Sequence, residues 1–138
     1  MAKEYNRHEA RKIALQTLYQ MDINNENLER NLEMLTDRVE GLELKNTFLE
    51  EIITGTYRYL PEIDEKLNES AEGWKVSRMG KVDRNILRLA VYEILYCDDI
   101  PIEVSIDEAV ELSKDFLADK SSKFINGVLG KVVSDQEE

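Results

Sequence analysis

The side chains best placed for chemistry near the start of this sequence are cations. The stretch "NRHEARKIALQTLYQMD", residues 6 to 22, crowds Arg7, His8, Arg11 and Lys12 together, with Tyr19 following along the same segment. On a helix of about 3.6 residues per turn, these five and Leu15 fall on one half of the wheel, and Ala10, Ala14, Thr17 and Met21 fall on the other. Cations interleaved with an aromatic ring suit single-stranded RNA: phosphates take the charge, and unpaired bases stack on rings and guanidinium planes. The same pattern fits a merely solvated helix face with Tyr19 half-buried. His8 reads as a contact rather than a metal ligand, having no partner histidine or cysteine.

A second basic segment lies near the other end. In "SSKFINGVLGKVV" the residues Lys123, Gly127 and Lys131 share one line at four-residue spacing. Phe124 stands at the base of that helix as a core candidate, and Lys120 and Ser121 precede it. Residues 113–132 carry four lysines against two aspartates, and residues 1–20 carry four Lys/Arg against two glutamates. By contrast, residues 26–51 carry three basic against eight acidic side chains, and the whole chain has a formal net charge of -11. So acidic a field repels phosphate and argues against indiscriminate nucleic-acid binding, but it leaves room for a local site. If the two basic segments meet in space, they make a binding face.

Other chemistry is harder to find. One histidine and one cysteine give no Cys/His metal constellation, and "GKVDRN" lacks the second glycine of a phosphate-binding loop. Acidic residues on amphipathic helices are usually a solvated face, so a catalytic carboxylate pair is not expected, nor is an enzyme. No cofactor is implied. Cys97 can form no intramolecular disulfide and reads as a small packing residue near a helix end. No apolar run approaches the roughly 18 residues of a membrane span, and no signal peptide is visible, so a cytoplasmic location is the expected default and no membrane partner is implied.

The elements that must position these residues are all helical. Two prolines and six glycines interrupt long runs of helix formers in 138 residues, about the length of one domain. Asn6 and Glu9 are placed as a variant capping box for the first helix. A second helix is expected over about 27–40 and a third over about 45–59, with Pro61 opening a short continuation through Ile63 and Leu67. The most apolar helix, about 83–96, should be central and largely covered, which leaves Arg84 and Arg88 to pair with acids such as Asp83 or Glu93. Ser105 and Glu108 read as an S-x-x-E capping box for the next helix, and "SSKFINGVLGKVV" forms the last. Short loops favour antiparallel neighbours in helical bundles.

Three ordered blocks, "ARKIALQTLYQMD", "VDRNILRLAVYEILYCDDIPIEVSIDEAVELSKDF" and "SSKFINGVLGKV", resemble the NusB family of bacterial transcription antitermination factors. Residues 23–72 are less diagnostic. The resemblance implies an all-α fold of about seven helices in two small packed bundles, forming one RNA-binding domain divided into subdomains of about 1–75 and 76–138. It implies no catalytic activity. It also implies pairing with NusE, a small-subunit ribosomal protein, and binding of boxA RNA in nascent ribosomal RNA transcripts, with other Nus factors and RNA polymerase completing the assembly. Carried onto this chain, the implied RNA contacts are Arg7, His8, Arg11, Lys12 and Tyr19, then Lys120, Ser121, Lys123 and Phe124. The implied NusE contacts are Asp83, Arg84, Arg88 and Tyr92.

The chain departs from the pattern at Glu9, which interrupts the arginine cluster of some relatives, and at His8, which replaces one cation. Lys120 stands where the family can carry an acid. Two other readings compete. One is a protein-interaction module that never touches RNA. The other is an RNA-targeting domain cut from a ribosomal RNA cytosine methyltransferase. Self-association of the free protein stays open.

Overall fold

The computed structural model describes residues 5–116 and 119–136, the side chains of Asp119 and Lys120 excepted. Seven α-helices and one 3-10 turn account for most of the described chain. The backbone groups into two compact units, Met1–Arg58 and Tyr59–Glu138.

In the first unit, α1 (Arg7–Asn24) opens on the expected capping box. The Asn6 side chain accepts from the Glu9 amide at 2.8 Å, and Glu9 reaches back to the Asn6 amide at 3.4 Å. Its other end turns at Asn25 in the left-handed region, which asparagine tolerates. Helix α2 (Leu28–Arg38) is capped by Asn27, and α3 (Phe48–Arg58) by Thr47, whose hydroxyl accepts from the Glu50 amide at 3.1 Å. Asn31 of α2 is fully buried and holds the α1–α2 turn: its carbonyl accepts from Asn24 at 2.8 Å and Gln20 at 3.3 Å, and its amide donates to the Asn27 carbonyl at 2.9 Å. Helix α1 packs on both α2 and α3. The core comprises Ala10, Ala14, Leu18, Leu35, Leu49, Ile52 and Ile53.

In the second unit, α4 (Leu60–Ser70) runs for eleven residues from Pro61 in its first turn, a full helix rather than a short continuation. It packs against α5 (Lys81–Tyr96) and α7 (Asp119–Gln136), so it belongs here and not with the first half. Helix α6 (Ile102–Phe116) covers α5 and α7 as well. As expected, α5 is the central element: Ile86, Leu87, Leu89, Ala90 and Val91 are buried, and Cys97 is buried at its C-cap.

The expected capping box at Ser105 is not there. Helix α6 starts at Ile102, with the Val104 and Ser105 amides donating to the Pro101 carbonyl, so Ser105 lies inside the helix. Its hydroxyl instead donates to Glu93 Oε1 at 2.9 Å, because a carboxylate only 2% exposed needs a donor more than the helix end needs a cap. Ser113 and Ser122 meet at 2.7 Å between α6 and α7, a small polar contact that allows close approach.

Arg88 is likewise structural. It lies against Asp64 of α4 through two parallel bonds of 2.8 Å, and its Nη1 donates to Asn85 at 3.3 Å. The acid in this fork comes from a covering helix, α4. Asp64 can form this fork because α4 packs directly on α5. Arg88→Met strands the Asp64 carboxylate and is expected to cost about 3 kcal/mol, read as a lower urea midpoint. Arg88→Lys should retain part of that stability, since it keeps the charge and loses the fork. A wild-type midpoint for Arg88→Met would show that the pair contributes nothing.

Candidate nucleic-acid interface

The capping box fixes the first turn of α1, and burial of Ala10, Ala14, Thr17 and Leu18 fixes its rotation. That rotation divides the basic cluster. Arg11 is only 3% exposed, and Leu15 is buried beside it, so neither stands on the open face where the sequence placed them. The cause is Phe48 at the start of α3: the Arg11 guanidinium lies 5.3 Å from the ring centroid, and that of Arg7 lies 4.4 Å from it. Arg7 keeps an exposed side chain while stacking on the ring. The outward stripe of α1 is formed by His8 and Lys12, both half-buried, and by exposed Tyr19 and Ile23. It is less basic and more aromatic than the charge count suggests.

The second basic segment lies wholly within a helix, since α7 starts at Asp119 and therefore includes Ser121, Lys123 and Phe124. Lys123 is exposed, Ser121 and Phe124 are half-buried, and the expected contact at Lys120 lies outside the described side chains. Lys131, on the same line as Lys123, faces Asp135 at 3.4 Å. Phe124 is not simply a core residue: it meets the Trp74 ring edge-on, with centroids 5.7 Å apart.

Around this ring pair opens a cleft of about 440 Å³, lined by Trp74, Arg78, Met79, Gly80, Asp83, Ser121 and Phe124. One wall is the loop between α4 and α5. Gly73 turns it at a φ of 79°, where a side chain would be strained, and the Asn68 side chain anchors it by accepting from the Val76 amide at 2.8 Å. The 3-10 turn Val76–Arg78 then leads into α5. The other wall is the first turn of α7 with Ser121 and Phe124. Trp74, Arg78 and Met79, in "GWKVSRMGK", were not among the residues expected to form a site. The available signal was a lone tryptophan beside an arginine between two glycines.

Asp83 has unusual surroundings. Burial raises its carboxyl above the ordinary 3.8, while a hydrogen bond from Ser121 opposes the rise. Its Oδ1 is buried and has no hydrogen-bond partner among the described residues. The implied partner residues behave differently from one another. Arg88 and Tyr92 are buried, at 9% and 7% exposure, so neither offers the open surface expected of a docking contact. Tyr92 instead belongs to a stack: Tyr59 and Tyr96 lie 4.3 Å apart, Tyr92 and Tyr96 5.6 Å apart, and Tyr96 is the exposed member. Burial, then the charge of Glu62, raises the Tyr96 phenol. Arg84 is half-buried. Among the described residues no group of His, Cys, Asp and Glu could hold a metal ion, and no helix is long and apolar enough to cross a membrane.

Because the folded state raises the Asp83 pKa, it favours the protonated carboxyl. That contribution to stability is complete below the unfolded value and is lost as the pH rises through the folded one. The stability of Asp83→Asn relative to the wild type should therefore move in the variant's favour between about pH 3 and about pH 7. Urea titrations at both pH values measure this, and a difference that is flat or moves the other way contradicts the assigned burial. Arg11→Met should lower the urea midpoint by removing a cation from the Phe48 ring, at a cost of about 1 kcal/mol.

Comparison with known proteins matches the NusB family over residues 8–134. The transcription antitermination protein NusB of Oceanobacillus iheyensis is 43% identical over 129 residues, covering 94% of this chain and 99% of that protein. The solved structure of T. maritima NusB superposes with a TM-score of 0.85 at 36% identity, covering 96% of this chain and 94% of that one. A crystal structure of antitermination factors NusB and NusE in complex with dsRNA gives a TM-score of 0.82 at 26% identity, covering 94% and 96%.

Proposed function

The chain belongs to the NusB family, and on that premise we propose that it acts as an RNA-binding adaptor of transcription antitermination, with no catalytic step of its own. The observation that carries this reading is the outward stripe of α1, where His8 and Lys12 stand with Tyr19 and Ile23 against an acidic background. Cation and ring together suit unpaired bases and their phosphates. Arg7 adds charge at the start of that helix, and Ser121, Lys123 and Phe124 supply a second contact from α7. Arg11 acts by positioning, holding α1 against Phe48.

The RNA is a boxA-type single-stranded element of nascent ribosomal RNA transcripts, and the protein partner is NusE. A relative solved with NusE and dsRNA supports both partner classes. A net charge of -11 favours a basic ribosomal protein and discourages loose RNA binding, so NusE completes the site. Asp83, Arg84 and the exposed edge of the tyrosine stack form its docking surface, with Arg88 and Tyr92 supporting from beneath. Other Nus factors and RNA polymerase join the assembly in the cytoplasm, where its outcome is suppression of premature termination.

Binding of a boxA-like RNA, with and without NusE and at two salt concentrations, tests the reading. Lys12→Ala and Lys123→Ala should each weaken binding, Lys123→Ala at an unchanged melting midpoint. Each should also flatten the slope of log K against log salt by about 0.7, the value for one phosphate of a single strand. Wild-type affinity and slope in both variants would remove these segments from RNA binding. RNA crosslinks confined to NusE would favour the interaction module.

A further inference from the structure

We propose that Phe48 and Arg7 form a platform for one unpaired base of the bound RNA: the ring holds the Arg7 guanidinium in place, and the base stacks on the guanidinium from the side turned away from the ring. The inference rests on the RNA-binding reading above and deepens it. It gives Arg7 a role other than charge and makes Phe48, on α3, a positioning residue for RNA.

Two electrostatic effects disfavour an arginine at this position. Arg7 is the first residue of α1, where the positive end of the helix dipole repels a cation, and Arg11 follows one turn later with the same charge. The face of the Phe48 ring offsets both. Its two guanidinium partners are not equivalent. Arg11 lies 5.3 Å from the centroid and is only 3% exposed, buried where α1 packs on α3. Arg7 lies nearer, at 4.4 Å, and yet stays exposed, so its open side is the one turned away from the ring. An exposed arginine ordinarily spreads over many rotamers, and ordering it on a ligand costs affinity. Here the ring has already ordered it.

What an ordered guanidinium offers beyond charge is a plane. Its N–H groups donate within that plane, so partners there leave the faces available for stacking. With one face on Phe48, the other fits an unpaired base, and every base has a π-face to present. A phosphate needs only a point charge, which Lys12 and Lys123 supply without an aromatic ring beneath them.

Binding of a labelled boxA-like RNA in the presence of NusE, at two salt concentrations, tests the assignment, with urea midpoints to show that each variant is folded. Arg7→Lys keeps the charge and loses the plane, so it should bind about tenfold more weakly at an unchanged slope of log K against log salt. Phe48→Leu should lose about threefold in the wild-type background and nothing further in an Arg7→Ala background. Phe48→Tyr, which keeps the ring, should recover most of that loss. RNAs with a single abasic site, moved one nucleotide at a time, locate the base. At one position the abasic RNA should bind the wild type about tenfold more weakly than intact RNA does, and Arg7→Lys should show no such loss there. Wild-type affinity for Arg7→Lys would make Arg7 a simple phosphate contact and overturn the platform. An equal loss from Phe48→Leu in both backgrounds would show that the ring acts only by seating α1, and would overturn it too. Either result leaves the adaptor reading standing. No binding of the RNA by the wild type, with or without NusE, would bring down the adaptor reading and this inference together.

Discussion

Helix α5 is covered on nearly every side, and its buried Asn85, Arg88 and Glu93 must therefore find partners on the helices that cover it. That requirement organises the second unit. Asp64 faces Arg88, so α4 has one favoured rotation against α5. Ser105 faces Glu93, so the first turns of α6 lie inside the interface and do not end it. The Asn85 amide closes back on the Lys81 carbonyl at 2.7 Å, leaving its oxygen for Arg88. Apolar packing supplies most of the driving force, and these polar pairs exclude the other rotations of the same helices, because each would bury an unmatched charge.

A similar division of labour operates in the first unit. Phe48 takes up two guanidinium groups from α1, and Asn31 satisfies the turn between α1 and α2. What remains outward on α1 is whatever those interior contacts do not use. The outward stripe is thus decided from the inside: Lys12 and Tyr19 face out because Arg11 and Leu15 face in. Calling all four α1 cations surface charges would misplace at least one of them.

Much of this was legible in the sequence. Helical periodicity and the scarcity of glycine and proline located the helices, the Asn6–Glu9 box marked the start of α1, and the continuous apolar run marked α5 as central. Three family blocks tied the ends of the chain to one family only through their joint order. What could not be read was which polar group meets which. Ser105 followed by Glu108 has the spacing of a cap, yet a buried carboxylate twelve residues earlier claims the serine. Arg11 has the period of an exposed residue, yet Phe48 from another helix covers it. The Trp74 cleft depends on the first turn of α7 meeting a loop more than forty residues away in sequence, and no local pattern encodes that meeting.

The contact between Arg11 and Phe48 has a consequence for α1 as a separable piece. A peptide spanning 5–24 would be a marginal helix in water, since isolated helices of this length are barely stable. It would also lack Phe48, so both arginines would swing free with Leu15 uncovered. Such a fragment would be stickier and more cationic than the face it came from, and would bind polyanions with less discrimination. The charge pattern of this surface is therefore a property of the folded unit, in which one aromatic ring takes up charge that the isolated helix would leave to the solvent.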